Sequence, residues 1–314
     1  MQNIDTEFLK PGMTNVHVVV STIGRQLGTV YSGREARIGA WWLLARLTGR
    51  SQTILMACGA VTLEERHIIC LCGWIDDICA KRKPIQYVVG SVPFVDVQIA
   101  VQPPVLIPRP ETEEWVACLA EQLRSIAFQT PLSILDLCTG SGCIAIALAK
   151  TLPSSSTVCA VDISPDALRL ARKNATSNSV EVSCVQSDLF QKIAGQRFDL
   201  IVANPPYVTE EEWVTLDGHI THWEDRRALV APDRGLAILK RIIAEAPNFL
   251  RSNIVLEKAG IGQVIVEIGA AQSCAVALLM KQHGYSAVVV SKDLAGRDRT
   301  VTGRAEHVVG AKKT

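Results

Sequence analysis

Several features that mark whole classes of protein are missing from this 314-residue sequence. No apolar run approaches the roughly 18 residues that would cross a bilayer, so we expect a soluble protein that does not bind a membrane. No C-x-x-C pair occurs among the ten cysteines. Most of them, such as Cys118, Cys143 and Cys159, lie in apolar runs, which predicts buried, reduced thiols and a reducing compartment. Neither sign of charge is in excess: a formal net charge of +1 argues against a protein that binds nucleic acid mainly by neutralising phosphates.

The composition is that of a compact globular protein, with 48% apolar and 20% charged residues, and the length favours two domains. Residues 1–83 are predicted to form a helical N-terminal domain, because apolar positions recur at helical spacing from Ile38 to Leu47 and from Glu64 to Ala80. In residues 84–109, short β-branched runs such as Val88-Val89 lie between glycines and prolines. This texture predicts a hairpin-like linker between two domains.

Residues 110–314 show repeated β-α units, which predict an α/β domain with a parallel sheet covered by helices on both faces. The pattern predicts, in order, helix Pro110–Ala127, strand Ser133–Leu137, helix Gly142–Leu152, strand Val158–Asp162, helix Pro165–Ser177, strand Val180–Gln186, strand Phe198–Ala203, helix Gly235–Leu250, strand Gln263–Ile268, helix Ala270–His283 and strand Ser286–Val290.

A glycine-bearing turn follows the first strand of this domain and is made of Cys138, Thr139, Gly140, Ser141 and Gly142. Such a turn allows a ligand to approach the backbone closely, beside the free N–H groups of the next helix. A G-x-G pattern alone is weak evidence, since a tight turn between strand and helix explains it equally well.

The residues at the ends of the next two strands make the turn more informative. Asp162 is placed to accept both hydroxyls of an adenosine ribose, while Ser164 is the more natural N-cap for the helix that follows. Asp188 and Leu189 offer a polar partner and an apolar wall for an adenine ring. Because Ala145 replaces the third glycine of a dinucleotide motif, the site suits S-adenosylmethionine better than a pyrophosphate.

The tetrapeptide Asn204-Pro205-Pro206-Tyr207 follows a buried strand and indicates the reaction. Open α/β sheets bind their ligands at this end of the strands, and two prolines donate no N–H that would occupy local acceptors. The Asn204 side-chain oxygen and the Pro205 carbonyl can together receive both protons of an NH2 group, and Tyr207 can stack on a planar substrate. We therefore predict methyl transfer to a planar nitrogen. A rigid turn without function is the weaker alternative.

Two groups of possible metal ligands are weaker still: Cys70, Cys72 and Cys79, and His219, His222, Glu224 and Asp225. Helical spacing favours core packing for the cysteines. The second group lies in the segment 208–234, which we expect to contact substrate or to be solvated. We predict no metal.

The chain resembles the protein-(glutamine-N5) methyltransferases that modify peptide-chain release factors, over residues 83 to 304. The matching segments are Pro84–Tyr87 with Gly90, Ile107–Glu113, Asp136–Gly142, Asp162, Asn204–Tyr207, Val266–Gly269 with Gln272, and Asp293–Arg299. The combination of I-P-R-P-E-T-E with N-P-P-Y is more specific than either alone, because N-P-P-Y also occurs in enzymes that methylate adenine or guanine amines.

This resemblance implies a Rossmann-like class I methyltransferase domain with a seven-stranded, mostly parallel sheet, preceded by a small helical domain that docks the release factor. It implies that Cys138, Thr139, Gly140, Ser141, Gly142, Asp162, Asp188, Leu189 and Asn204 contact S-adenosylmethionine. It also implies that Asn204, Pro205, Pro206 and Tyr207 hold the glutamine of a Gly-Gly-Gln motif, with Asn204, Pro205 and Tyr207 catalytic. The partner would be a class I release factor, with no stable binding of nucleic acid.

Two departures from the family pattern stand out. Many relatives have glycine where this chain has Cys138, and Glu-Pro where it has Glu224-Asp225. The sequence of Thr112–Trp115 is similar to that of fungal mitochondrial members of the family. This similarity suggests an enzyme of the mitochondrial matrix, with bacterial cytoplasm as the alternative.

Two other functions remain open at this point. One is a nucleic-acid exocyclic amine methyltransferase, although residues 1–100 carry ten Lys plus Arg against eight Asp plus Glu, too balanced for duplex binding. The other is a scaffold of the same fold without activity, which the intact Gly140, Gly142, Asp162 and Asn204 disfavour.

Overall fold

The protein is described by a computed structural model that covers residues 9–127 and 131–305. The ends of the two predicted domains, residues 1–8 and 306–314, and residues 128–130 lie outside the described residues. The chain divides into two compact units. The first takes the residues up to Ser91 together with Asp217–Trp223, and the second takes Val92–Leu216 and the residues from Glu224 onward. The predicted domain limits at 83 and 109 stay predictions.

Helices make up most of the first unit and flank the sheet of the second. In chain order they are α1 (Val16–Leu27), α2 (Gly33–Thr48), α3 (Gln52–Cys58), α4 (Glu65–Cys79), α5 (Ile85–Val89), α6 (Pro110–Ala127), α7 (Cys143–Thr151), α8 (Pro165–Ser177), α9 (Glu210–Trp213), α10 (Gly218–Thr221), α11 (Ala237–Glu245), α12 (Ile254–Lys258) and α13 (Ser273–Gln282), with short 3-10 turns at Arg226–Ala228 and Ala246–Phe249.

The strands within the described ranges form three sheets. They are β1 (Gly12–Asn15), β2 (Ala60–Leu63), β3 (Ser91–Phe94), β4 (Val97–Ala100), β5 (Ser133–Leu137), β6 (Thr157–Asp162), β7 (Ser183–Gln186), β8 (Leu200–Ala203), β9 (Val264–Glu267), β10 (Tyr285–Lys292) and β11 (Asp298–Ala305).

The first unit has its own apolar core, to which α1, α2 and α4 contribute. Helix α2 begins in a capping box, in which Ser32 and Glu35 each accept a backbone N–H of the other, and this arrangement satisfies two N–H groups at the helix start. The predicted helical stretches Ile38–Leu47 and Glu64–Ala80 fall on α2 and α4. Both helix predictions are therefore confirmed.

The segment Asp217–Trp223 packs within this first unit although the chain reaches it from the second. The ring of His219 stacks on Tyr31 with 4.8 Å between centroids. Arg82 donates to Asp217 (Nη2–Oδ2 3.0 Å), and the Trp223 indole N–H donates to the Lys81 carbonyl at 3.0 Å. His219 is buried, so a solvated position is wrong for this residue, whereas Asp217 and His222 of the same segment are exposed. That residues 208–234 contact substrate stays a prediction.

A two-stranded sheet of β3 and β4 lies within residues 84–109, where a hairpin was predicted, and its role as a linker stays a prediction. The β-branched pair Val88-Val89 does not belong to it, because both residues lie in α5. That short helix follows Pro84 and ends at Gly90 in a left-handed conformation (φ 86°). A run of two β-branched residues is too short to outweigh a proline start and a glycine stop.

The second unit is built on a seven-stranded sheet in the order β10-β11-β9-β8-β5-β6-β7. Strands β7, β6, β5, β8 and β9 run parallel, and β11 runs antiparallel to both of its neighbours. The chain leaves β5 toward β6 and β7 on one side, and then returns to β8 and β9 on the other. The point between β5 and β8 is therefore the switch point at which such sheets bind ligands.

The seven-stranded, mostly parallel sheet that the resemblance implied is confirmed, but the pattern of apolar runs located only six of its strands and gave no position for β11. Its burial pattern mixes inward residues such as Val301 with Arg304, and the charged Asp298–Arg304 stretch lacks the apolar run of a central strand. It is nevertheless central, between β9 and β10. Antiparallel pairing lets the chain turn back directly after β10, without a helix between the two strands.

Two statements from composition are resolved by the structure. All ten cysteines are free thiols, but only Cys143 and Cys159 are buried, so the prediction that most of them are buried is wrong. Cys118 is exposed on α6, and Cys70, Cys72 and Cys79 are half-buried. Within residues 9–127 and 131–305, no helix is both long and apolar enough to span a membrane.

Candidate functional site

Four polar side chains lie on one row at the carboxyl ends of the parallel strands. In the register of the sheet, Leu137 pairs with Val161 and with Ala203, and Ala203 pairs with Val266. The next residue along each strand is Cys138, Asp162, Asn204 or Glu267. Pairing through the buried strands thus brings together residues that are separated by up to 129 positions, the difference between 267 and 138.

A cleft of about 250 Å³ opens above this row. Of the predicted site residues, Cys138, Gly140, Asp162, Asp188, Leu189, Asn204 and Pro206 line it. The remainder of the lining comes from Pro104, Val105, Leu106, Val161, Ile163, Ser164, Ala167, Ser187, Asp225, Arg227, Ala228 and Ile238. The lining combines an apolar wall with several acidic groups, as in sites for small organic ligands.

The turn after β5 gives the cleft its floor. Gly140 and Gly142 have positive φ (55° and 83°), and a Cβ on Gly142 would lie 3.0 Å from the Ala171 Cβ. Cys138 also adopts a left-handed backbone (φ 58°), which glycine adopts without strain. Thr139, Ser141 and Gly142 do not line the cleft, so their predicted contact with a cofactor stays a prediction.

Asp162 is fixed by backbone donors of two different segments. Gly140 N–H donates to its Oδ2 (2.8 Å) and Ser164 N–H to its Oδ1 (2.9 Å). Burial raises the pKa of this carboxyl group, while these hydrogen bonds lower it. Ser164 itself caps α8 by accepting from the Ala167 N–H, as the sequence predicted. The Asp162 carboxylate is therefore oriented before any ligand binds.

The pair that follows β7 also has defined partners. Asp188 accepts from Arg241 (Nη1–Oδ1 2.9 Å) and from Gln191 (Nε2–Oδ2 3.1 Å). Leu189 is buried with a positive φ of 49° and faces the cleft. A carboxylate thus lies next to an apolar wall, and the predicted contact of this pair with an adenine ring stays a prediction.

The tetrapeptide after β8 is held from several sides. Asn204 and Pro206 line the cleft, whereas Pro205 and Tyr207 do not. The Asn204 amide nitrogen donates to Thr112 Oγ1 at 3.1 Å, and the Tyr207 hydroxyl donates to Glu267 Oε1 at 3.1 Å. Burial and the charge of Glu267 raise the pKa of Tyr207, so its hydroxyl keeps its proton at neutral pH.

Glu267 connects this tetrapeptide to α6. It is fully buried, and besides Tyr207 it accepts from Thr112 Oγ1 (2.7 Å) and Trp115 Nε1 (2.8 Å). Burial raises the pKa of Glu267, and the three donors and the charge of Arg299 lower it. The Glu267 carboxylate therefore contacts both sequence motifs, through Thr112 of I-P-R-P-E-T-E and Tyr207 of N-P-P-Y.

Asp136, two residues before the glycine-bearing turn, was not among the predicted site residues. It is fully buried, accepts from Thr139 Oγ1 (2.5 Å) and Ala145 N (3.2 Å), and burial raises its pKa to about 7. Its Oδ1 is buried without a partner among the described residues. An acidic residue inside an otherwise apolar strand, Ser133–Leu137, was the available signal.

The segment 224–227, in which a departure from the family pattern was noted, contributes Asp225 and Arg227 to the lining of the cleft. Glu224 is buried and paired with Arg109, so the expectation of a solvated residue is wrong here as well. The Asp225 N–H donates to the Pro104 carbonyl at 2.8 Å, a bond that proline at this position could not form. Arg227 pairs with the Asp225 side chain at 2.6 Å.

Neither proposed metal-ligand group is assembled in the structure. Within the described ranges, no cluster of three or more His, Cys, Asp or Glu side chains could hold an ion. His219 lies in the first unit, whereas Glu224 and Asp225 lie in the second. The prediction that the protein uses no metal remains a prediction.

The sheet order, its antiparallel β11 and the cleft at the switch point define a class I S-adenosylmethionine-dependent methyltransferase. Residues 116–220 match the family model for the methyltransferase small domain. The hMettl16 catalytic domain has the same fold, with a TM-score of 0.50 and 14% identity over 81% of this chain and 87% of that chain.

Two bacterial proteins, both named release factor glutamine methyltransferase, are similar over most of their length. That of Streptococcus pneumoniae is 38% identical over 77% of this chain and 81% of its own. That of Escherichia coli K12 is 36% identical over 86% of this chain and 91% of its own. The chain belongs to the release factor glutamine methyltransferase family, and it is an enzyme. Both relatives are bacterial and do not support the expected mitochondrial location.

Proposed function

We propose that this protein transfers a methyl group from S-adenosylmethionine to the side-chain amide nitrogen of the glutamine in the Gly-Gly-Gln motif of a class I peptide-chain release factor. The observation that carries the proposal is the orientation of Asn204. Its amide nitrogen is bound to Thr112, and Asn204 lines the cleft, so its oxygen is the atom left to accept a substrate N–H.

The tetrapeptide suits a glutamine amide because that group is planar and offers two N–H donors. We assign one to the Asn204 side-chain oxygen and the other to the Pro205 carbonyl, and we assign stacking on the planar group to Tyr207 and Pro206. An amide nitrogen is a poor nucleophile, so alignment with an activated methyl group supplies much of the lowering of the barrier. The two accepting oxygens also stabilise the positive charge that develops on nitrogen.

S-adenosylmethionine supplies the electrophilic methyl group, and the family and fold imply it as the donor. The lining of the cleft fits such a ligand. Asp162 offers acceptors for ribose hydroxyls, and Asp188 with Leu189 offers an acceptor beside an apolar wall for adenine. Among the described lining residues, Arg227 is the one cation, and its guanidinium is paired with Asp225, which disfavours a pyrophosphate.

The turn after β5 would hold the amino-acid end of the donor. We assign this role to the backbone of Cys138, Thr139, Gly140, Ser141 and Gly142, whose positive-φ glycines leave room for close approach. The unpartnered Oδ1 of Asp136 lies buried beneath the same turn and offers an acceptor for a cationic amine or a bridging water.

We assign docking of the release factor to the helical N-terminal domain, residues 1–83, joined by the linker 84–109 to the catalytic domain, residues 110–314. The substrate restricts the compartment to one in which ribosomes terminate translation. Bacterial cytoplasm fits the bacterial relatives best, and it also fits ten free cysteines, which persist as thiols under reducing conditions.

The test is to incubate the protein with labelled S-adenosylmethionine and either a class I release factor or nucleic acid. We expect label on the release factor, and none after its Gly-Gly-Gln glutamine is replaced by alanine. Label that appears only on nucleic acid would overturn the proposal in favour of an adenine or guanine amine. Failure to label any of these acceptors would favour a scaffold without activity.

A further inference from the structure

The buried carboxylate of Glu267 does not line the cleft. It accepts hydrogen bonds from three side chains, those of Thr112, Trp115 and Tyr207. Thr112 and Trp115 donate to Oε2, and Tyr207 donates to Oε1. The Trp115 indole N–H can only donate, so Oε2 is an acceptor, and the Tyr207 hydroxyl donates its proton to Oε1. Such a group fixes the direction of every hydrogen bond attached to it.

The direction of the next bond follows from counting protons on Thr112. Its hydroxyl has a single proton, and the 2.7 Å bond to Glu267 uses it. Thr112 Oγ1 can then only accept from Asn204, which must present its NH2 group at 3.1 Å. The two orientations of an Asn amide are nearly identical in shape, so this hydrogen-bond chain, rather than packing, distinguishes them.

We infer that Glu267 is a positioning residue that acts through Thr112 to hold the Asn204 amide with its oxygen toward the substrate. This inference rests on the proposed function. In the opposite orientation Asn204 would present N–H groups to the N–H groups of the substrate. Glu267 also fixes the Tyr207 ring through its hydroxyl, so one carboxylate orients both the Asn204 and the Tyr207 side chains.

The deciding variant is Glu267→Gln, which keeps the shape and supplies an N–H donor. The amide introduced by this substitution has only one acceptor oxygen for the three donors. If its NH2 group faces Thr112, Thr112 donates to the Asn204 oxygen instead, and the chain of hydrogen bonds is reversed. If its oxygen faces Thr112 and Trp115, its NH2 group meets the Tyr207 hydroxyl and reverses the hydrogen bond that fixes the Tyr207 ring. We expect kcat for methyl transfer to fall about ten- to hundredfold, since a misplacement of about 1 Å at a reacting centre can cost about a hundredfold. Binding of S-adenosylhomocysteine should stay within about twofold, since Glu267 does not line the cleft.

A matched control separates positioning from stability. Asp199 is also buried and accepts from Arg251, Asn253 and the Ser133 N–H, but it precedes β8, at the opposite end from the tetrapeptide. Asp199→Asn should lower thermal stability without lowering kcat per folded molecule. If Glu267→Gln and Asp199→Asn change kcat equally, the positioning role is wrong.

A second pair of variants decides the question if Glu267→Gln does not fold. Thr112→Val removes the hydroxyl that relays the direction, and Thr112→Ser restores it. We expect Thr112→Val to show the loss in kcat and Thr112→Ser to recover most of it. Equal kcat in these two variants would overturn the inference. If the wild-type protein itself does not methylate a release factor, the proposed function fails instead, which the same assay shows first.

Discussion

Asn204 and Asp162 lie on the same row of the sheet but should fail in different ways when altered. Asn204→Ala removes the acceptor for the substrate amide, so we expect turnover to fall by more than about a hundredfold with cofactor binding largely intact. Asp162→Ala removes the ribose acceptor and should weaken cofactor affinity about tenfold or more, as the loss of a charged hydrogen-bond partner does. Steady-state kinetics and calorimetry with S-adenosylhomocysteine measure both. Unchanged turnover in Asn204→Ala, or unchanged affinity in Asp162→Ala, would reject that residue's role.

Asp136 should make stability depend on pH. Burial raises its pKa from 3.8 in a model peptide to about 7, so the folded chain binds this proton more tightly than the unfolded chain. Ionising Asp136 therefore lowers the free energy of unfolding. This loss of stability is absent below about pH 4, grows between about pH 4 and 7, and is complete above about pH 7.

We therefore expect wild-type stability, relative to Asp136→Asn, to fall by more than about 1 kcal/mol between pH 5 and pH 8, since one pKa unit is about 1.4 kcal/mol. Urea unfolding of both proteins at the two pH values measures it. A difference between the proteins that is the same at both pH values would contradict the raised pKa.

Single residues were predictable where local sequence shows the end of a strand. Asp162 and Asn204 directly follow apolar β-branched runs, so their place at the ligand-binding edge could be inferred. Glu267 also ends a strand, but its role depends on Thr112, 155 positions away, and on the proton that Thr112 donates. No spacing rule in a single sequence encodes such a contact.

Among the loops, the turn before α11 packs against the backbone of the tetrapeptide, where Gly235 lies next to Tyr207. The Tyr207 carbonyl accepts from the Gln272 amide at 3.0 Å. Gly235 has φ 79°, and a Cβ at this position would overlap the Tyr207 carbonyl oxygen and lie 2.5 Å from the Gln272 amide nitrogen. Gly235→Ala should displace the Tyr207 backbone and lower kcat by about tenfold or more, because small misplacements at a reacting centre are costly.

Gly195→Ala is the matched control. It has a similar φ of 83°, but open space surrounds the added Cβ. It should cost about 1 kcal/mol of left-handed strain and leave kcat unchanged. Melting temperatures and kcat of the two variants measure this. A parallel loss of kcat in both would show that backbone strain, and not the approach to Tyr207, is responsible.

Elements were predictable where both ends have a local signal. Helices Pro110–Ala127 and Pro165–Ser177 have the predicted bounds, and each begins with proline in its first turn. Strand β7 was predicted from residue 180 and begins at Ser183, because pairing with β6 starts only there. The position of β11 was not predicted, because it is a strand through its pairing with β9 and β10 and has no apolar run that marks it in the sequence.

Among the described residues, each unit has a large apolar core of its own, and a smaller cluster of Val105, Ala167 and Leu170 lies in the second unit. Since the assigned cofactor residues all belong to the second unit, we expect S-adenosylhomocysteine to raise the melting temperature of that unit alone. Scanning calorimetry should show two transitions, of which one shifts with ligand concentration. A single transition that shifts as a whole would show that the two units unfold cooperatively.

The division of the molecule was only partly visible in the sequence. A change from apolar residues at helical spacing to short β-branched runs near residue 84 indicated where the helical part of the chain ends. That Asp217–Trp223 joins the first unit was not visible, because its partners Tyr31, Lys81 and Arg82 lie more than a hundred positions earlier.

Because Asp217–Trp223 belongs to the first unit, its place in the chain limits how segments of this protein can be exchanged with those of a relative. A chimera that takes its helical unit from a relative would bring new neighbours for His219 and Trp223 while keeping the old segment. The stacked ring and the indole hydrogen bond would then be mismatched. Exchange by a single crossover near residue 91 therefore breaks this unit, and a working chimera has to transplant two separate stretches of sequence together.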